Sequence, residues 1–172
     1  MKSIPLINSG AAYIFIGMAA LDSENMPTLR FLVDTGATRT TIPKSILIDT
    51  LGYTDDYIQN NKIILPEKDL PSLADGKKAD VYGIAAPRIN IGGHELQPDY
   101  ILTSDTLTTL SFLLGLDILR YFKIIYDFDA IDENAPHGRM FYEFRDSCFV
   151  PYTKMGDHFA YKLSGSSDKG LT

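Results

Sequence analysis

The chain has 172 residues, 45% of them hydrophobic, enough for one globular domain with a full core. Its formal net charge of -6 and pI of about 4.9 argue against nucleic acid as its main partner, because binding phosphates needs a basic face. One cysteine, Cys148, excludes an intrachain disulfide framework and gives no zinc pattern; it reads as a buried or half-buried thiol.

No stretch approaches the ~20 apolar residues of a membrane span, so no membrane partner is expected. Ala11 to Leu21 is apolar and follows Lys2, which raises the question of a secretory leader. Pro5, the Ser9-Gly10 interruption and the single basic residue make a poor one. Tyr13-Ile14-Phe15-Ile16 reads instead as a strand, and a cytoplasmic protein is expected. Residues 12–18 and 28–33 form an antiparallel pair joined by a polar loop that ends in Pro27. Leu29, Phe31 and Val33 alternate with Thr28, Arg30 and Leu32, which is strand periodicity.

That strand ends in Asp34-Thr35-Gly36-Ala37-Thr38, a sequence the chain carries once. A charge at the end of a buried strand is costly unless hydrogen bonds or chemistry support it. Gly36 frees the backbone to turn and Thr35 offers a hydroxyl to hold the turn, so Asp34 is presented toward a cleft. Residues 44–52 read as a short helix stopped by Gly52. Residues 53–70 are polar and irregular, an insertion or extended loop. Residues 73–84 read as a hairpin around Ala74-Asp75-Gly76-Lys77-Lys78. A second hairpin turns at Gly92-Gly93, and its return strand continues from Pro98 to Leu102. Leu113-Leu114-Gly115-Leu116-Asp117-Ile118-Leu119 passes from a strand end into a short helix. Residues 123–128 and 139–144 form a last hairpin, and residues 164–172 form a flexible C-terminal tail. Many short strands with one or two short helices make an all-β, or mainly β, fold.

Two of these motifs carry a resemblance. Asp34-Thr35-Gly36-Ala37-Thr38 behind an apolar strand, followed about 80 residues later by Leu113-Leu114-Gly115-Leu116-Asp117, resembles the retropepsin-like aspartic proteases, in their single-domain cellular and bacterial form. The resemblance covers about residues 12–145. It implies a closed β-barrel of the acid-protease type, in one domain spanning 1–163. It makes Asp34 the catalytic carboxylate, with Thr35, Gly36, Ala37, Leu114 and Gly115 supporting it. Thr35 would hydrogen-bond across to a second turn. Leu73, Ala74, Asp75, Gly76 and Lys77 lie where the family places its substrate-covering flap. The chain departs from the family in the length of 53–70 and in the polarity of that tip.

Peptide hydrolysis by carboxylates needs two of them around one water. One acts as base on the water; the other, protonated, hydrogen-bonds the scissile carbonyl. Close carboxylates cannot both ionise cheaply, so the pair shares a proton. No second Asp-Thr-Gly or Asp-Ser-Gly occurs in the chain. A dyad therefore requires Asp34 from each subunit of a two-fold homodimer. The expected activity is aspartic-type endopeptidase, or proteolysis of a peptide or protein substrate, with no cofactor and no metal. The alternative is a catalytically inactive domain of the same fold that binds peptides or dimerises.

Other acidic and histidine residues read as structural. Asp117 sits where a helix begins, which is enough to explain a carboxylate. Asp127-Phe128-Asp129 mimics a phosphatase start, but too little chain follows it. The acidic run to Glu133 lacks the glycine and terminal glutamate of a calcium loop. His94, His137 and His158 have no spacing that pairs them as metal ligands.

Overall fold

The computed structural model describes residues 1–8, 10–73, 75–107 and 112–145, and the backbone of 149–151 and 161–163. Ala74, expected in the flap, the expected thiol Cys148 and the expected tail 164–172 lie outside the described residues.

The first strand, β1 (Lys2–Pro5), is one the sequence pattern does not announce, because Ile4 alone among its residues packs on the core. Alternation makes the next two. β2 (Tyr13–Met18) buries Ile14, Ile16 and Met18 and turns Tyr13 and Phe15 outward, and β3 (Thr28–Val33) buries Phe31 and Val33. They pair antiparallel, Tyr13 opposite Leu32 and Phe15 opposite Arg30. Helix α1 (Lys44–Asp49) follows, buries Leu47, and stops before Gly52, whose φ of 74° only glycine adopts readily.

Residues 53–70 are not an irregular loop. They hold helix α2 (Asp55–Asn60) and a 3₁₀ turn at Glu67–Asp69. The Thr54 side chain caps α2 by accepting the Tyr57 N–H at 3.1 Å, and Asp55 and Asp56 occupy its first turn. One apolar anchor, Ile58, is fully buried. High polarity hides this helix from a reading based on hydrophobic periodicity, whereas its cap is visible in the sequence.

The predicted 73–84 hairpin shrinks to its tip. Ser72 pairs with Lys78, and the Leu73 N–H bonds the Lys77 carbonyl at 2.7 Å. Strand β4 (Tyr82–Ala85) turns away from that tip. β5 (Ile89–Ile91) and β6 (His94–Leu96) form the predicted Gly-Gly hairpin, both glycines having positive φ, which a type I′ turn requires. Residues 98–102 do not continue β6. They enter a separate strand, β7 (Tyr100–Thr103), whose partner is β4, with Ile84 opposite Ile101. The two-residue strand β8 (Leu113–Leu114) and helix α3 (Leu116–Leu119) come next. β9 (Phe122–Asp127) and β10 (Arg139–Phe144) then form the predicted last hairpin. β11 (Phe149–Pro151) and β12 (Tyr161–Leu163) pair with each other.

The described residues are mainly β with a few short helices. The strands form sheets β6-β5-β2-β3-β8, β1-β10-β9, β4-β7 and β11-β12. Among the described residues, the strand ladders therefore do not close the expected barrel. Strands of two to four residues leave gaps in the ladder, and single bridges fill them: Thr41 pairs parallel with Leu102 of β7 and antiparallel with Leu113 of β8. One large apolar cluster, including Ile16, Phe31, Ile42, Leu47, Ile84, Ile89 and Ile118, packs under the five-stranded sheet and the helices. No helix among the described residues is long and apolar enough to cross a membrane.

Candidate active site

Asp34 leaves β3 at the point where β3 meets β8. Val33 pairs parallel with Leu114, and the Asp34 N–H donates to the Leu114 carbonyl at 3.1 Å. The chain then turns, with the Ala37 N–H donating to the Asp34 carbonyl at 3.2 Å. The Asp34 side chain is half-buried, and its Oδ1 accepts the Gly36 N–H at 2.8 Å. A carboxylate held this way is charge-assisted and fixed in direction. Glycine at 36 eases that approach rather than supplying left-handed backbone, since Gly36 is not among the residues with positive φ. A Cβ there would lie 3.2 Å from Asp34 Oδ1.

Behind the turn, β8 and α3 hold the loop from underneath. The Leu116 N–H donates to the Ala37 carbonyl at 2.8 Å, and the Asp117 N–H donates to that of Thr38 at 3.2 Å. The Thr40 hydroxyl accepts the Gly115 N–H at 3.1 Å and donates to Asp117 Oδ1 at 2.8 Å. Gly115 packs so closely that a Cβ would fall 2.4 Å from the Arg39 carbonyl carbon and 2.8 Å from the Thr40 nitrogen. Leu114 is buried beside the turn. Thr35 is exposed, and among the described residues its hydroxyl makes no hydrogen bond.

Asp34 opens onto a cleft of about 960 Å³. One wall is the turn itself, through Gly36, Ala37 and Thr38. The opposite wall is apolar, with Ala79, Val81 and Leu102 buried and Leu70, Tyr100 and Leu107 packed against them. Segment 68–73 closes one side, so Leu73 of the predicted flap shares this cleft with Asp34. Asp75, Gly76 and Lys77 do not line it. They form an exposed tip in which Asp75 Oδ1 accepts the Lys77 N–H at 3.0 Å and Gly76 has a φ of 81°. Burial, and then the charge of Asp34, push the phenol of Tyr126 in β9 up.

Sequence reasoning missed two members of this region. Residues 68–72, which lead into the predicted flap residue Leu73, carry no site signal in the sequence because their cleft-lining side chains follow no period. Asp117 reads as a helix-start carboxylate, but it is only 5% exposed and is tied to Thr40 across the fold. That correction has one signal in the sequence: an aspartate between Leu116 and Ile118 in a wholly apolar run. The other acidic motif is a turn, as Asp127 Oδ1 accepts the N–H groups of Asp129 and Ala130. Among the described residues no cluster of three His, Cys, Asp or Glu side chains could hold a metal ion.

No known family's sequence profile matches this chain, and no curated protein matches it. Among solved structures that are similar is the crystal structure of a retropepsin-like aspartic protease from Rickettsia conorii. It is 22% identical, covers 81% of this chain and 86% of that chain, and has a TM-score of 0.43.

Proposed function

We propose that this chain is a retropepsin-like aspartic endopeptidase that acts as a homodimer, with one Asp34 from each subunit around a shared water. The observation that carries this reading is the Asp34 carboxylate fixed by the Gly36 N–H at the mouth of a large cleft with one apolar wall. One carboxylate polarises the water as general base. The other, protonated, hydrogen-bonds the scissile carbonyl and passes a proton to the leaving amine. Gly36 orients the carboxylate. Thr35, exposed and with no hydrogen bond to its hydroxyl among the described residues, would bond the second turn. The apolar wall seats side chains of an extended peptide, and segment 68–73, with Leu73, shields it from water. The protein is read as a cytoplasmic domain with peptide or protein substrates.

The test is cleavage of a diverse peptide mixture from mildly acidic to neutral pH by wild type beside Asp34→Asn, with product masses read out. Products from wild type alone support the enzyme. Equal cleavage by both rejects Asp34 as catalyst. No cleavage by a folded wild-type dimer moves the protein to the peptide-binding reading.

A further inference from the structure

Asp117 is a buried titratable group that the proposed chemistry does not use. Its Oδ1 accepts three hydrogen bonds, from the Thr40 N–H at 3.0 Å, the Thr40 hydroxyl at 2.8 Å and the Ile118 N–H at 3.0 Å. Its Oδ2 is buried and has no partner among the described residues. An ionised carboxylate spreads its charge over both oxygens, so an orphaned Oδ2 leaves buried charge uncompensated. A proton on Oδ2 removes that charge and leaves all three bonds to Oδ1 in place.

The charged and titratable groups around Asp117 come from every element packed on it. Arg39 lies in the loop after the Asp34 turn, Asp99 precedes β7, and Arg120 and Tyr121 follow α3. All line one cavity of about 580 Å³ together with Asp117. Neither cation reaches Oδ2. Arg39 Nη1 donates to Asp99 Oδ1 at 2.6 Å and its guanidinium stacks 4.0 Å over Tyr100. Arg120 donates to the Tyr121 hydroxyl at 3.1 Å. Burial raises the Asp117 carboxyl above the ordinary aspartate range, and the bonds to Thr40 and the Arg39 charge only partly oppose it.

We propose that Asp117 is a positioning residue that works as a neutral acid, protonated on Oδ2, and that its ionisation slackens the loop 38–40 behind Asp34. The orphaned oxygen, the triple-bonded Oδ1 and the cavity beside them carry this. Thr40 couples the carboxyl to Gly115, and Leu116 and Asp117 hold the Ala37 and Thr38 carbonyls, so the latch acts on the Asp34 turn through three residues. The adjoining cavity gives water room to enter when the charge forms. The site is then tightest in acid and loosens as pH rises through the Asp117 titration.

Isotope-edited infrared spectroscopy of aspartate-labelled protein tests this without reference to cleavage. A protonated-carboxyl band must persist in wild type above the pH at which ordinary aspartates ionise. The Asp117 band is the one that Asp117→Asn, which keeps an oxygen for the three donors and cannot ionise, must lack; a band from a proton shared by two Asp34 carboxyls stays in both proteins and is lost only from Asp34→Asn. The melting temperatures of wild type and Asp117→Asn, aligned in acid, must separate as pH rises, wild type falling below the variant. A wild-type spectrum with no such band overturns the proposal even if the variant fails to fold. So do melting curves that run parallel across pH. Because neither readout involves peptide hydrolysis, the latch can fail while the protease reading stands, and the reverse.

Discussion

Asp105, just after β7, and Asp117, in α3, meet opposite surroundings. Asp105 collects cations and donors: Lys44 at 2.8 Å, Lys62, and the Tyr82 hydroxyl at 2.9 Å. Lys44 is shared with Asp55 at 2.5 Å, so the cluster ties α1, α2 and β4 to the end of β7. Those partners hold the Asp105 carboxyl well below the usual range and push the Lys44 ammonium up. Asp117 has donors but no bonded cation, and burial moves it the other way. One residue type thus serves two ends. At the surface a carboxylate gathers ammonium groups and works charged; under the Asp34 turn it organises backbone and works best neutral.

The two carboxyls therefore respond to pH with opposite signs. Asp105 contributes stability that is present above the ordinary aspartate value of 3.8 and is lost as pH falls through its lowered folded value. Asp117 contributes stability that is complete below 3.8 and is lost as pH rises through its raised folded value.

The heaviest loss comes from disturbing the backbone that rests on the Asp117 helix. Gly115→Ala drives a Cβ into the Arg39–Thr40 backbone, which no side-chain rotation relieves. Urea unfolding must show a loss of about 3 kcal/mol or more, or no folded protein. A loss under about 1 kcal/mol would mean that the loop does not sit tightly on α3.

Next comes the Asp105 side. Asp105→Asn keeps the shape but leaves Lys44 and Lys62 without their shared anion. A third of the Asp105 side chain is exposed, so screening limits the loss to about 1–2 kcal/mol at neutral pH. The gap to wild type must close as pH falls below about 3.8, and high salt must shrink it. A gap that widens in acid would mean that the Asp105 carboxyl is not held low by its lysines.

A local cap in the same neighbourhood matters least. Thr54→Ala removes the acceptor for the Tyr57 N–H at the start of α2, and chemical denaturation must register about 1 kcal/mol. No change would mean that α2 is held by Ile58 burial alone.

These contrasts also mark what the sequence makes legible. The β2–β3 pair, the Gly92-Gly93 hairpin, α3 and the β9–β10 hairpin follow from alternation, turn glycines and apolar runs. The Asp34 turn is legible because a carboxylate after Phe31-Leu32-Val33 is locally incongruous. Three things are not. The β4–β7 pairing depends on contacts between residues distant in the chain, for which local period carries no information. Residues 55–60 are polar, and only the Thr54 cap and the acidic first turn betray a helix. The surroundings of Asp117 and Asp105 are set by which loops meet them, so a helix-start aspartate and a strand-end aspartate look alike in sequence while differing in burial and partners.

Whether two copies of Asp34 make one site is decided by subunit mixing. Increasing amounts of Asp34→Asn protein are exchanged into a fixed amount of wild type, and peptide cleavage is followed by mass. A shared site predicts that cleavage falls toward zero as mixed dimers replace wild-type dimers, in proportion to the wild-type fraction. Cleavage that stays constant while mixed dimers form would show that each chain acts alone, and would contradict the dyad.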